Sequence, residues 1–135
     1  MIGVIVVGHC KLSEELVRAA EFITGKIKGV LAVSLDPNAK VDLLRREVAS
    51  AIEQVDSGDG ILILADMFGG TPSNISLSFL EEGKVEVVTG VNLPMLIHIA
   101  TRQSGTSLNQ LAEEVRTYGK RSISLAGEIL KKEVS

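Results

Sequence analysis

The sequence predicts an α/β fold, a three-layer α/β/α sandwich around a mostly parallel sheet, on three observations. Three short runs are almost wholly apolar and rich in β-branched residues: Ile2-Gly-Val-Ile-Val-Val7, Val30-Leu-Ala-Val-Ser34 and Gly60-Ile-Leu-Ile-Leu-Ala65. This is how strands buried on both faces read. Amphipathic helical patterns separate the runs, and a fourth run, Val85-Glu-Val-Val-Thr89, follows a short helix. Right-handed crossovers between parallel strands then place helices on both faces of the sheet.

The elements follow in order. After the first strand, residues 13–24 put Leu16, Val17, Ala20 and Ile23 on one helical face. Ser13, with Glu14 and Glu15 behind it, makes a good helix start and Gly25 a good stop. After the second strand, residues 39–55 repeat the pattern with Val41, Leu44, Val48, Ile52 and Val55, and Asn38 after Asp36-Pro37 is the expected N-cap. The third strand leads into Gly69-Gly70-Thr71-Pro72, which reads as a turn and a helix start, with Thr71 as N-cap and Pro72 in the first helical position. Pro94 to Ala100 reads as a helix, and Ser107 to Lys132 as helix interrupted at Gly119 and Gly127. With strand one between strands two and three, the order becomes 2-1-3-4. No linker, repeat or low-complexity stretch divides the chain, so residues 1–135 are expected to form a single domain.

Composition removes several function classes. Hydrophobic residues make up 45% of the 135 and charged residues 23%, the proportions of a folded globular domain. Aromatic residues are only 3% and the net charge is −3, which leaves neither stacking platforms nor a basic stripe for nucleic acid. A single cysteine, Cys10, forms no internal disulfide and no CxxC pair for zinc, as in a reducing compartment. No run is long enough for a signal sequence or a membrane span. The expected setting is therefore cytoplasmic, with no direct membrane insertion, no metal and no cofactor.

In open α/β sheets, chemistry gathers beyond the carboxyl ends of the strands, where strand order reverses. That rule selects Gly8-His9-Cys10 after strand one and Asp66-Met-Phe-Gly-Gly-Thr-Pro-Ser-Asn74 after strand three. A carboxylate at Asp66 accepting the Nδ1 proton of His9 would leave the Nε2 lone pair outward as a nucleophile. The Gly69-Gly70 turn and Thr71 open a helix N-terminus able to bind phosphoryl oxygens. Cys10 reads as packing, because neighbouring side chains tend to point apart. His98, on the apolar stretch Pro94-Met-Leu-Ile, reads as a satisfied, partly buried histidine. Met67 and Phe68 either rim the site as a docking patch or cover the sheet end.

These residues resemble a known family. Ile5-Val-Val-Gly-His9, the Asp66 to Asn74 segment and Gly90-Val-Asn-Leu-Pro-Met-Leu96, in this order and spacing, are similar to the IIA component of the mannose family of the bacterial phosphoenolpyruvate-dependent sugar phosphotransferase system (PTS EIIA type 4). The resemblance implies that His9 accepts a phosphoryl group from the carrier HPr and passes it to a histidine of a IIB protein during sugar uptake. It makes Asp66 the orienting carboxylate and Gly69, Gly70 and Thr71 the phosphoryl contacts, and it places Asn92 near the site. It further implies a cytoplasmic homodimer whose sheet is completed by an antiparallel edge strand exchanged between subunits, a role for the region after residue 90. Two alternatives share the fold: a regulatory phosphoacceptor in an incomplete system, and a phosphoryl donor for a dihydroxyacetone kinase, whose domains lack the Gly-Gly-Thr-Pro segment. A nucleotide- or flavin-binding module finds no GxGxxG or P-loop here.

Overall fold

The computed structural model describes residues 1–134. Its elements are β1 (Gly3–His9), α1 (Leu12–Thr24), β2 (Val30–Leu35), α2 (Val41–Val55), β3 (Ile61–Ala65), α3 (Thr71–Leu77), β4 (Val85–Thr89), α4 (Leu93–Ala100), α5 (Leu108–Arg121) and α6 (Ala126–Val134). The sheet runs β2-β1-β3-β4 with every pair parallel. Among the described residues no fifth strand joins it, and residues 122–125 form none within the chain.

The continuous apolar runs exist because the two central strands bury both faces. Val4, Val6, Leu62 and Leu64 enter a core shared with α1, α4 and α5. Ile5, Val7, Ile61 and Ile63 enter a second core with α2 and α3. Residues alternate between the two layers along each strand, as the pleat requires. Seven of these eight are fully inaccessible and Ile61 is 2% exposed, so truncating one of them to alanine would cost about 2–5 kcal/mol.

The registers Val7↔Ala65 and His9↔Leu35 bring the carboxyl ends of β1, β2 and β3 level. Every loop the switch-point rule selected therefore opens at the same end of the sheet.

Several local expectations need correction. Ser13 does not cap α1; Lys11 holds that position, and the Ser13 hydroxyl donates to the Val33 carbonyl at 2.9 Å. Asn38 is not the cap of α2, which starts after Lys40; its backbone amide instead donates to the Asp36 carboxylate in a local turn. Gly70 occupies the N-cap of α3, so Thr71 is already helical and makes no side-chain cap bond. Ile23 is turned outward at 61% exposure, and Ile27 beyond the helix enters the core in its place. Neither Gly119 nor Gly127 interrupts a helix. Gly119 lies buried in α5, where a Cβ would collide with the Met95 side chain, so glycine lets α5 approach α4. The actual break falls at 122–125.

Candidate functional site

His9 is the last residue of β1, and its position depends on Asp66, the first residue after β3. The Asp66 amide donates to the Val7 carbonyl at 3.2 Å, extending the β1–β3 pairing by one step. That step turns the carboxylate back toward the end of β1. One oxygen, Oδ2, then receives both the backbone N–H of His9 at 2.9 Å and Nδ1 of its ring at 2.6 Å. Gly8 lies alongside, where a Cβ would come to 3.4 Å from Oδ2, close to ordinary contact.

The Asp66 side chain is only 8% exposed, whereas the His9 side chain is 45% exposed. Burial pushes the Asp66 carboxyl upward, but the hydrogen bonds from the His9 amide and ring outweigh it and hold the group below its ordinary value of 3.8. Asp66 is therefore ionised at neutral pH and can only accept, so the Nδ1 proton sits on His9. In the neutral ring the lone pair is then on Nε2.

Nε2 faces the glycine turn. Gly69 and Gly70 both adopt left-handed backbone, φ 92° and 85°, a conformation that costs a residue with a Cβ about 1 kcal/mol. A Cβ on Gly70 would sit 3.4 Å from both Cε1 and Nε2. His9, Thr71 and Pro72 line one cleft of about 320 Å³ with Cys10, Leu35 and Val41. The pair predicted from the sequence thus meets, and the Gly-Gly-Thr-Pro turn lies against the Nε2 edge of its ring.

Comparison with known proteins now assigns the lineage. The family model described as the PTS system fructose IIA component, EIIA-man, matches residues 3–116. The chain belongs to this IIA family. The fructose-specific EIIA component of Bacillus subtilis (strain 168) is 28% identical over 133 residues, 98% of this chain and 91% of that one. The sorbose-specific EIIA component of Lacticaseibacillus casei is 31% identical over 113 residues, covering 83% and 81%. Among solved structures, the PTS IIA protein associated with the fucose utilization operon of Streptococcus pneumoniae superposes with a TM-score of 0.82 at 26% identity, over 95% of each chain. The chain is accordingly a phosphotransferase-system component of the IIA class, a class of phosphocarriers in sugar uptake.

Within this IIA protein, the other residues singled out from the sequence divide: His98 meets its expectation and Cys10 does not. Cys10 is not packing: it is exposed and adopts φ 55°, left-handed for a non-glycine residue. Asn92 caps α4 through Met95 N–H at 3.1 Å and donates to the Gly119 carbonyl at 3.1 Å, so both ends of its amide are engaged in helix packing. His98 is a satisfied, partly buried histidine, 3.4 Å from Glu114 and stacked on Tyr118 at 5.0 Å. Met67 and Phe68 do not cover the sheet end; they stand 53% and 74% exposed on the loop next to Asp66. Among the described residues, no three potential ligands converge as a metal site and no helix is long and apolar enough to cross a membrane.

Sequence reasoning did not anticipate Ser13 as a buried tie between α1 and β2. The available signal was a serine followed by two acidic residues at the start of an amphipathic helix, and that pattern points to capping.

Proposed function

We propose that this IIA protein carries a phosphoryl group on Nε2 of His9, taking it from phospho-HPr and handing it to a IIB component in sugar uptake. One observation supports this above all: Asp66, ionised and mostly buried, holds Nδ1 at 2.6 Å while the opposite edge of the ring faces an open glycine turn. The Nε2 lone pair attacks phosphorus, the donor's phosphorus–nitrogen bond breaks, and the donor histidine keeps that bond's electron pair. Asp66 retains the Nδ1 hydrogen bond throughout and stabilises the positive charge that develops on the ring. The turn at Gly69 and Gly70 with the Thr71 hydroxyl offers donors to the phosphoryl oxygens. Onward transfer reverses these roles, with a histidine of IIB as the attacking base.

A protein donor must bury surface around His9 to bring its phosphorus within reach. The exposed apolar side chains of Val41, which lines the cleft, and of Met67 and Phe68, on the loop that follows Asp66, supply such surface.

The working unit in this reading is a homodimer. All residues from Arg121 to Lys131 are exposed, including Ile123 at 77% and Leu125 at 67%. β4 is an edge strand, and a groove of about 410 Å³ runs between it and α5, lined by Val87, Val88, Thr89, Asn109, Ala112 and Arg116. The arm after Arg121 of a second copy would cover that edge, pairing as the exchanged antiparallel strand.

Incubation with phosphoenolpyruvate, enzyme I and HPr, followed by intact mass measurement, tests the carrier role. The protein should gain one acid-labile phosphoryl group, and His9→Ala should gain none while remaining folded. Stoichiometric labelling of His9→Ala would overturn the assignment.

A further inference from the structure

The turn that presents His9 is short and uncapped. β1 ends at His9 and α1 begins at Leu12, leaving Cys10 and Lys11 to reverse the chain. Cys10 is left-handed at φ 55° and Lys11 makes no side-chain bond to the helix start. On the β3 side, Asp66 grips the His9 amide. On the β2 side stands Ser13, 1% exposed, whose hydroxyl donates to the Val33 carbonyl at 2.9 Å and lies 3.3 Å from the Ser34 hydroxyl. Val33 and Ser34 pair in register with Val7 and Gly8, the two residues immediately before His9.

We propose that Ser13 is a positioning residue for His9, fixing the β1–α1 turn to β2 so that the ring keeps its Asp66 contact while Nε2 faces the glycine turn. The proposal rests on the phosphocarrier reading of His9 and deepens it. Ser13 touches neither the ring nor any reacting atom and acts only through the backbone. A helix-capping serine would direct its hydroxyl at the first-turn amides of α1; this one directs it at another strand. A buried hydroxyl bonded across two elements fixes their relative placement, because leaving the carbonyl partner dry and unpaired is unfavourable. Reacting groups tolerate little error: a misplacement of about 1 Å can cost about 100-fold in rate. The smaller drift of a turn freed on one side is expected to cost about fivefold.

Four variants test this: Ser13→Ala, Ser13→Cys, Asp66→Asn and the Ser13→Ala/Asp66→Asn double. All four are read by kcat and KM for phosphoryl transfer from phospho-HPr, and the two Ser13 single variants, which keep the Asp66 carboxylate, also by the NMR resonance of the His9 Nδ1 proton. Ser13→Ala should lower kcat about fivefold with KM changed less than about twofold, and should shift the Nδ1 proton resonance. The double variant should be no slower than Asp66→Asn alone, because both changes act through the orientation of one ring. Ser13→Cys, nearly the same size, provides a folded variant should alanine prove too disruptive, and its kcat should also fall. Wild-type kcat and an unmoved Nδ1 resonance in a folded Ser13 variant would overturn the proposal. If the wild type takes no phosphate, the carrier reading fails instead, and the resonance alone still decides whether Ser13 positions the ring.

Discussion

The loops at the carboxyl end of the sheet and the arm after Arg121 are built in opposite ways. At the site, a residue is held from several sides: His9 by its own strand, by Asp66 through two hydrogen bonds, and across the turn by Ser13 bonded to β2. In the arm, Ser122 to Lys131 are exposed throughout, and Ile123, Leu125, Ile129 and Leu130 present apolar surface to solvent. One region is over-determined within the chain, and the other carries hydrophobic residues that its own chain does not bury. A rigid site suits chemistry that needs fixed geometry, while an apolar arm suits association with another copy.

Deleting residues 122–135 separates the two regions and should have the largest effect. The full chain should sediment as a dimer at micromolar concentration and the truncated chain as a monomer. Phosphorylation of His9 should survive, since among the described residues the hydrogen bonds that hold the site all lie before Arg121. Loss of labelling in a folded truncated protein would break the contrast by showing that the site depends on the arm. A full chain that sediments at the 14.4 kDa mass of one subunit would refute the dimer itself.

Asp66→Asn attacks the other region. An amide can offer its own N–H to Nδ1 and favour the tautomer with the proton on Nε2, so transfer should slow by about 100-fold while the dimer persists. The same variant gives a pH signature. The Asp66 carboxyl is held below its ordinary value, so its ionised form stabilises the fold above about pH 4, and this contribution is lost as pH falls through the lowered value. Urea unfolding should therefore find wild type more stable than Asp66→Asn at neutral pH and the difference shrinking toward about pH 3. A constant difference across that range would mean that the carboxylate is not stabilised by His9.

Gly70→Ala probes the nucleophile's edge with one methyl. At φ 85° the added Cβ strains the backbone, and it would lie 3.4 Å from Nε2, on the edge where phosphorus approaches in the proposed transfer. Transfer is expected to fall about tenfold, and stability by about 1 kcal/mol. A loss of stability with full activity would show that phosphorus approaches from another direction.

Much of this architecture was legible in the residues. Continuous apolar runs identify the central strands because β1 and β3 are buried on both faces, and strand order then brings His9 and Asp66 together without any knowledge of side-chain conformation. The IIA family match agrees with that reading of the fold. The misread positions share a cause. Ser13, Asn38 and Thr71 all belong to the residue types that cap helices, yet a cap is a geometric role, and the chain used other residues at those places. Local composition cannot reveal that the Ser13 hydroxyl has a carbonyl within reach on β2, 20 residues away in sequence. Cys10 failed for a related reason: its exposure follows from the left-handed turn between β1 and α1.

Thr71→Val is expected to have the smallest effect, and it asks how the phosphoryl oxygens are held. Thr71 is the first helical residue of α3, lines the cleft beside His9 and makes no cap bond, so its hydroxyl is free to serve a ligand. Valine keeps the β-branched shape and removes only that hydroxyl. The backbone N–H groups at the start of α3 remain, so most of the anion-binding capacity persists. Losing one hydrogen bond to a charged acceptor typically costs about 1.5–3 kcal/mol when the partner stays dry, and less where water replaces it. Thr71 is exposed, which favours the lower figure, about 1 kcal/mol or a fivefold slower transfer. Stability should barely change. A variant slowed as much as Asp66→Asn would make the hydroxyl, not the backbone, the principal contact for the transferred group. A variant as fast as wild type would leave phosphoryl binding to the backbone of the glycine turn alone.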